Sequence, residues 1–293
     1  MSPENSNGPL PDFLIIGAQK SGTSWLAHLL RQHPEVYMPE GEPHFFDKVH
    51  NYCKGEEWYR THFEEATGQQ IVGEKTPDYI WANGDGVEGH DPHVHENVHD
   101  VLPRAKLIVF LRNPVDRAVS AAKHIIRSGR VSPRHSLDDL LVGDKHELIA
   151  GHGVLEYGYY HRHLRAYLDL FSPSQILPLF FEEAVVDAPR EGFEEVGRFL
   201  NLSETRGVDG IEKKVNAHRA SLLELYTKYY APRLLGLAHR LRPVFSQQIA
   251  PPSTETIARL YDHYAEHNRR LAELMDRPLP ESWEAPDAVP VSA

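Results

Sequence analysis

The sequence predicts an α/β fold: a mostly parallel central sheet flanked by helices as a three-layer structure, with a helical C-terminal part. Three observations carry this. The runs Phe13–Ile16 and Leu107–Leu111 are apolar without polar alternation, as strands covered on both faces require. Each leads through a short turn into helical spacing, at Trp25–Gln32 and Ala118–Ser128. Beyond Gly210 the pattern is almost wholly helical. A chain of 293 residues has room for one large core. The reading is one domain over residues 1–293, with 1–11 and 285–293 disordered and 207–284 a helical extension of the same domain.

The elements follow in order. The first helix has Leu26, Leu29, Leu30 and His33 on one stripe and stops at His33-Pro34, because a residue before proline is pushed out of the helical region. Residues 35–46 hold two prolines and a glycine and read as loop; Glu42 lies in it, tethered by Phe45 and Phe46. A short helix is expected at Trp58–Phe63 and a brief strand at Ile71–Gly73. The segment 90–99 is rich in histidine; His95 and His99 share a helical face, but 19 histidines in the chain make chance clustering the better account, and a solvated helix start is expected.

The second apolar run, Lys106–Leu111, is the clearest strand. After it, Asn113 as N-cap, Pro114 at the first helical position and Asp116 in the first turn start a helix that ends before Gly129. Residues 130–153 carry few apolar anchors and read as a mobile excursion with one short helix. A helical pattern returns over Val154–Leu170. Ile176–Phe181 is a strand that Pro178 demotes to the sheet edge. Helices are expected at Pro189–Leu200, Ser221–Leu241 and Ser253–Met275.

Strand, glycine-bearing loop and helix in that order build an anion cradle, since backbone N–H groups and the positive helix N-terminus converge there. Gly17, Gly22 and Ser24 fit the nucleotide-hydrolase spacing G-x-x-x-x-G-K-[ST]. Thr23, however, stands where its lysine belongs, and Lys20 lies inside the loop. In kinases the second core strand brings an aspartate to magnesium. Here it brings Arg112, suited to a bidentate grip on a phosphate monoester, and Ser120 lies on the following helix. Two anion sites one strand apart suit a nucleotide phosphorylated at both ends of its ribose.

The run Gly17-x-x-Lys20-Ser21-Gly22-Thr23-Ser24-Trp25 resembles the 5′-phosphosulfate loop of sulfotransferases that use 3′-phosphoadenosine 5′-phosphosulfate (PAPS), and Arg112 to Ser120 resembles their 3′-phosphate motif. Gly41–Phe46 and Glu74–Pro77 resemble the K/N-E-x-H-F-F and E-K-[ST]-P segments of heparan sulfate (Golgi-type) members. The resemblance implies a P-loop-type fold and in-line transfer of a sulfuryl group from PAPS to a hydroxyl, with no metal required. It implies that Lys20, Ser21, Gly22, Thr23 and Ser24 hold the 5′ side and that Arg112 and Ser120 hold the 3′-phosphate. Trp25 either stacks on the adenine or is a core aromatic. Glu42 is implied as the base, with Lys20 stabilising the leaving phosphate and Lys75 assisting near the acceptor; His44 and His124 are weaker candidates for the base. The family's lysine- and glycine-bearing lid is matched only by Lys213-Lys214-Val215-Asn216, without the glycines. Leu260 to Leu279 followed by Trp283 resembles its closing helix and tryptophan.

Composition narrows the partners. Lys plus Arg is 31 against 42 Asp plus Glu, a formal charge of −11. This argues against a general nucleic-acid surface and, unless basic residues are locally gathered, against a long polyanionic acceptor. The expected acceptor is a small hydroxylated molecule such as a lipid, glycoside or secondary metabolite. The single cysteine, Cys53, excludes an internal disulfide and points to a reducing compartment. With no apolar run of membrane-spanning length and no signal pattern in the first dozen residues, the cytoplasm is the expected location. Oligomeric state is not legible. The alternatives are a small-molecule kinase using Mg-ATP and a non-catalytic nucleotide-binding protein.

Overall fold

The computed structural model describes residues 8–82, 89–203, 207–212, 220–241 and 247–285. In chain order the first elements are β1 (Phe13–Gly17), α1 (Thr23–Leu30), β2 (Val36–Tyr37), α2 (Val49–Tyr52), α3 (Gly55–Arg60), β3 (Ile71–Lys75), α4 (Val94–Val101) and β4 (Lys106–Leu111). Next come α5 (Pro114–Ser128), α6 (Leu137–Leu141), α7 (Glu147–Ala150), α8 (Tyr160–Leu168), β5 (Ile176–Phe180) and α9 (Pro189–Leu200). The last helices are α10 (Leu222–Tyr230), α11 (Leu235–Leu241) and α12 (Thr254–Met275). The chain divides into two compact units, one of residues 1–112 and 160–215, the other of 113–159 and 216–293.

The first unit holds a five-stranded parallel sheet in the order β2-β3-β1-β4-β5. β1 lies at its centre, with Ile15 opposite Lys75 on one side and Ile108 on the other. Every residue of β1 is buried, and Leu107 to Leu111 are fully buried in β4, which is why neither run alternates. Leu26, Leu29 and Leu30 of α1 and Phe193, Val196 and Leu200 of α9 pack with Phe13, Ile15, Ile108 and Phe110 in one core. Each such side chain contributes roughly 1.5–3 kcal/mol on burial. Pro178 pairs with Val109 on the edge strand β5, where the ladder hydrogen bond that proline cannot donate costs least. Two features depart from the local pattern. Val36-Tyr37, expected as loop, pairs with Ile71 and Val72, a strand made by its neighbour rather than by its own sequence. In α4 the ring of His95 is buried against Tyr167, and His99 meets the edge of Phe171; both pack on aromatics, where a solvated helix start was expected.

The second unit is helical. Asn113 Oδ1 accepts from the amides of Val115 and Asp116, and Gly129 closes α5 at φ 82°, so both expected boundaries of this helix are met. Residues 130–153 hold two short helices where one was expected. Leu137, Leu140, Leu141 and Ile149 bury against Ile125, Leu260 and Tyr264, a set of anchors too widely spaced to register as a pattern. The single helix expected over 221–241 is broken at Pro232, which lacks the N–H that a helix interior needs. Ser253 caps α12 by accepting from the Thr256 amide. No helix among the described residues is long and apolar enough to cross a membrane.

Candidate active site

The site lies in the first unit, at the C-terminal ends of β1, β3 and β4, the edge of a parallel sheet where ligands bind. β1 ends at Gly17, whose φ is 148° and where an added Cβ would sit 2.7 Å from the Pro77 carbonyl oxygen. Both features call for glycine. The loop is then pinned to the next strand by the Ala18 amide, which donates to Phe110 O at 2.8 Å. Lys20 takes a left-handed φ of 71°, uncommon outside glycine and of the kind that collects at functional loops. Gly22, at φ 97°, is the N-cap of α1. Its carbonyl accepts from Trp25 and Leu26, so the amides of Thr23 and Ser24 precede the helical ladder at the positive end of α1.

Ser21 is fully buried, and its Oγ has no hydrogen-bond partner among the described residues. An orphaned donor beside helix-terminal amides and a lysine is what a bound phosphate group would satisfy, so these residues fit the nucleotide that the sequence implies. Arg112 follows β4 and reaches the same loop: its Nη1 donates to Lys20 O at 3.0 Å. Its guanidinium lies 5.0 Å from the centre of the Phe181 ring, and Tyr160 OH donates to its carbonyl at 2.8 Å. Lys20 and Arg112, 92 residues apart in sequence, are thus brought together. Trp25 is 4% exposed, sits edge-on to Phe110 at 6.3 Å and donates its indole N–H to Ile211 O at 2.8 Å.

A second cluster is built on β3 and the loop after β2. Lys75 forms a hydrogen-bonded ion pair with Glu42, whose side chain keeps 35% exposure. His44 Nε2 lies 3.5 Å from Glu42, and His44 Nδ1 lies 3.0 Å from the fully buried Asp47. Burial alone would push the Glu42 carboxyl up, but hydrogen bonds from His44 and Lys75 and their charges bring it down to about 2. For His44 burial works downward, and hydrogen bonds to Asp47 and Glu42 overcome it, raising the imidazole to about 10. Glu42 is therefore an anion and His44 a cation at neutral pH. His44, Asp47 and Asp78 offer ligand atoms within 4.8 Å of one another, but an imidazolium presents N–H donors, so the cluster as it stands is an ion-pair network. Gln19 of the first loop touches it through Asp78 at 3.4 Å, which links the two clusters.

The structure therefore brings Lys20, Ser21, Gly22, Thr23, Ser24 and Arg112 to one place, and Glu42 with Lys75 and His44 to the adjoining one. Ser120 and His124 lie half-buried on α5 in the second unit. The segment 213–216, the partial match to the family's lid, lies outside the described residues. Sequence reasoning missed Asp47, Asp78 and the buried Glu74. The first two carried a signal, a carboxylate within three residues of each site motif. Glu74 did not, since nothing in the sequence separates it from a solvated partner of Lys75.

Residues 10–229 match the sulfotransferase domain family. A human heparan sulfate glucosamine 3-O-sulfotransferase 6 is 30% identical over 90% of this chain and 71% of its own length. A mouse heparan sulfate glucosamine 3-O-sulfotransferase 5 is 29% identical over 66% of this chain, which spans 54% of that protein. Among solved structures, a sulfotransferase from Alicyclobacillus acidocaldarius is 26% identical, with a TM-score of 0.65 over 94% of this chain and 99% of that one. The chain belongs to the sulfotransferase family, and its parallel sheet flanked by helices is the P-loop-type fold of that family.

Proposed function

We propose that this protein transfers the sulfuryl group of PAPS to a hydroxyl of a small acceptor, a lipid, glycoside or secondary metabolite. The observation that carries the reading is the contact of Arg112 with the Lys20 carbonyl, which puts two cationic residues and a buried free hydroxyl, Ser21, at the end of adjacent strands. In this reading Lys20, Ser21, Thr23, Ser24 and the α1 amides take the 5′-phosphate, with Gly22 giving the backbone its approach. Arg112 takes the 3′-phosphate. Trp25 supports the cradle from the core side.

In the transfer the acceptor oxygen bonds to sulfur as the bond from sulfur to the 5′-phosphate oxygen breaks, and the acceptor proton passes to Glu42. By analogy with phosphoryl transfer the transition state is loose, so charge grows on the leaving oxygen, where Lys20 and the amides stabilise it. A carboxylate with a pKa of about 2 is a weak base for a free alcohol. It suffices if the proton leaves late, because an alcohol oxygen already bonded to sulfur is strongly acidic. Lys75 and His44 hold the carboxylate ionised and in place. The cytoplasm is the proposed compartment, on the support of the lone, exposed and unpaired Cys53.

A second acceptor class is favoured by one observation, the 30% identity over 90% of the chain to a protein named for sulfation of heparan sulfate glucosamine. The net charge of −11 weighs against it. Transfer of label from sulfur-labelled PAPS into a panel of a sterol, an alkyl glucoside, a phenol and N-sulfated heparan sulfate decides. Label in any of the first three supports the small acceptor, label in heparan sulfate alone replaces it, and no transfer to the panel or to a mixed metabolite extract overturns the enzymatic reading.

A further inference from the structure

Glu74 and Lys75 are neighbours on β3, so their side chains leave opposite faces of the sheet. Lys75 meets Glu42 directly. Glu74 is fully buried on the other face, and three hydroxyls converge on it. Tyr59 OH donates to Oε2, Thr76 Oγ1 donates to Oε1 at 2.6 Å, and Tyr79 OH is a third hydrogen-bond partner. Burial raises its carboxyl to about 7, with the hydroxyl bonds working the other way.

In its ionised form Glu74 can only accept, so the Tyr79 hydroxyl beside it gives its proton to Glu74 and turns its lone pairs outward. They receive the Phe45 amide at 2.9 Å and, at 3.5 Å, the Phe46 amide, three and four residues beyond Glu42. The side chains of the same two residues are clamped by the same tyrosines: Phe45 stacks on Tyr59 at 4.4 Å, and Phe46 meets the edge of Tyr79 at 5.3 Å. On its other side the loop is tied by Asn51 Nδ2, which donates to Pro43 O and His44 O at 3.2 and 3.1 Å. The backbone on either side of His44 is thus fixed, with Glu42 projecting from the tied segment.

We propose that Glu74 is a positioning residue for sulfuryl transfer, acting through the Tyr79 hydroxyl to fix the loop that presents Glu42. One strand would then hold the base twice, Lys75 by its charge and Glu74 by its backbone. The proposal rests on the reading of Glu42 as the base. Displacing a reacting group by 1 Å can cost about 10²-fold, so loosening this loop is expected to slow the transfer without weakening the hold on the nucleotide.

Amide hydrogen exchange on the full chain with 3′,5′-adenosine bisphosphate (PAP) bound tests it. Tyr79→Phe removes only the hydroxyl. Glu74→Gln offers an N–H that competes for the Tyr79 lone pairs. Both are expected to speed exchange at Phe45 and Phe46 about tenfold or more, with the Ile108–Phe110 amides and PAP affinity unchanged. Transfer into the acceptor panel at saturating PAPS should fall about 10- to 100-fold, with the half-saturating PAPS concentration unchanged. Wild-type exchange at Phe45 in Tyr79→Phe overturns the proposal, as does acceleration spread evenly to Ile108–Phe110, which would mean global loosening. If Glu74→Gln does not fold, Tyr79→Phe alone decides. A Glu42→Gln variant with full transfer would sink the assignment of the base and leave the exchange result standing, so the two failures are told apart.

Discussion

The two halves of the candidate site solve the same problem, holding charge in a fixed place, by opposite means. The cradle from Gly17 to Ser24 is built from backbone: two glycines at positive φ, a left-handed Lys20 and the first turn of α1. The cluster around Glu42 is built from side chains of a loop and a strand. Glu42 is balanced by Lys75 and His44, and His44 by Asp47. The first half gathers donors and cations at the end of β1, as an incoming anion requires. The second is charge-compensated already and needs no ligand to settle it. The comparison predicts that substitutions in the cradle act on the nucleotide, whereas those in the cluster act on turnover.

The largest effect is expected for Glu42→Gln, with a loss of about 10²–10⁴ in transfer rate and PAP binding unchanged by calorimetry. A parallel loss of PAP affinity would erase the distinction between the halves. Lys20→Ala should cost about 10²–10³ in rate and weaken PAP as well, measured by transfer from labelled PAPS and by titration. For Arg112→Lys, which keeps the charge but loses the planar fork, PAP affinity should fall about tenfold, or about 1.4 kcal/mol, without any change in the acceptor dependence of the rate.

The smallest effect expected is on stability. The His44 imidazole rises from an ordinary 6.5 to about 10 in the fold. The stability it contributes is thus fully present below pH 6.5 and is lost as pH rises through 10. Glu42, lowered to about 2, contributes above its ordinary 4.5, and that contribution is lost as pH falls through 2. The melting temperature of the native chain should therefore decline between pH 6.5 and 10, and His44→Gln should flatten that decline. An unchanged slope would mean that the ion-pair network does not hold the loop.

The same contrast explains what could be read in the sequence. The cradle is local: strand, glycines, lysine and hydroxyls fall within Phe13 to Trp25, and backbone conformation there is written in the residues themselves. β4 and α5 were legible for the same reason, an unbroken apolar run and a cap of Asn113, Pro114 and Gly129. The contact between Arg112 and Lys20 was expected only in kind, since their meeting depends on β1 and β4 being sheet neighbours. Around Glu42 less is local. Asp47 meets His44 from three residues along the chain, but Asp78 and Lys75 reach this loop through tertiary packing, and a buried Glu74 looks like any charged strand end until Tyr59 and Tyr79 are seen to cover it. Val36-Tyr37 failed likewise, becoming a strand because Ile71 and Val72 offer it an edge.

The central claim is that the loop around Lys20 and the arginine beside it grip one doubly phosphorylated nucleotide. Thermal shift of the purified chain with PAP in the presence of EDTA tests this most directly, because a ligand that binds only the folded state raises its stability in proportion to RT ln(1 + [L]/Kd). The account predicts a clear rise with PAP and no metal, diminished in Lys20→Ala and in Arg112→Ala. Stabilisation by Mg-ATP alone, or a PAP shift that survives both substitutions, would contradict it.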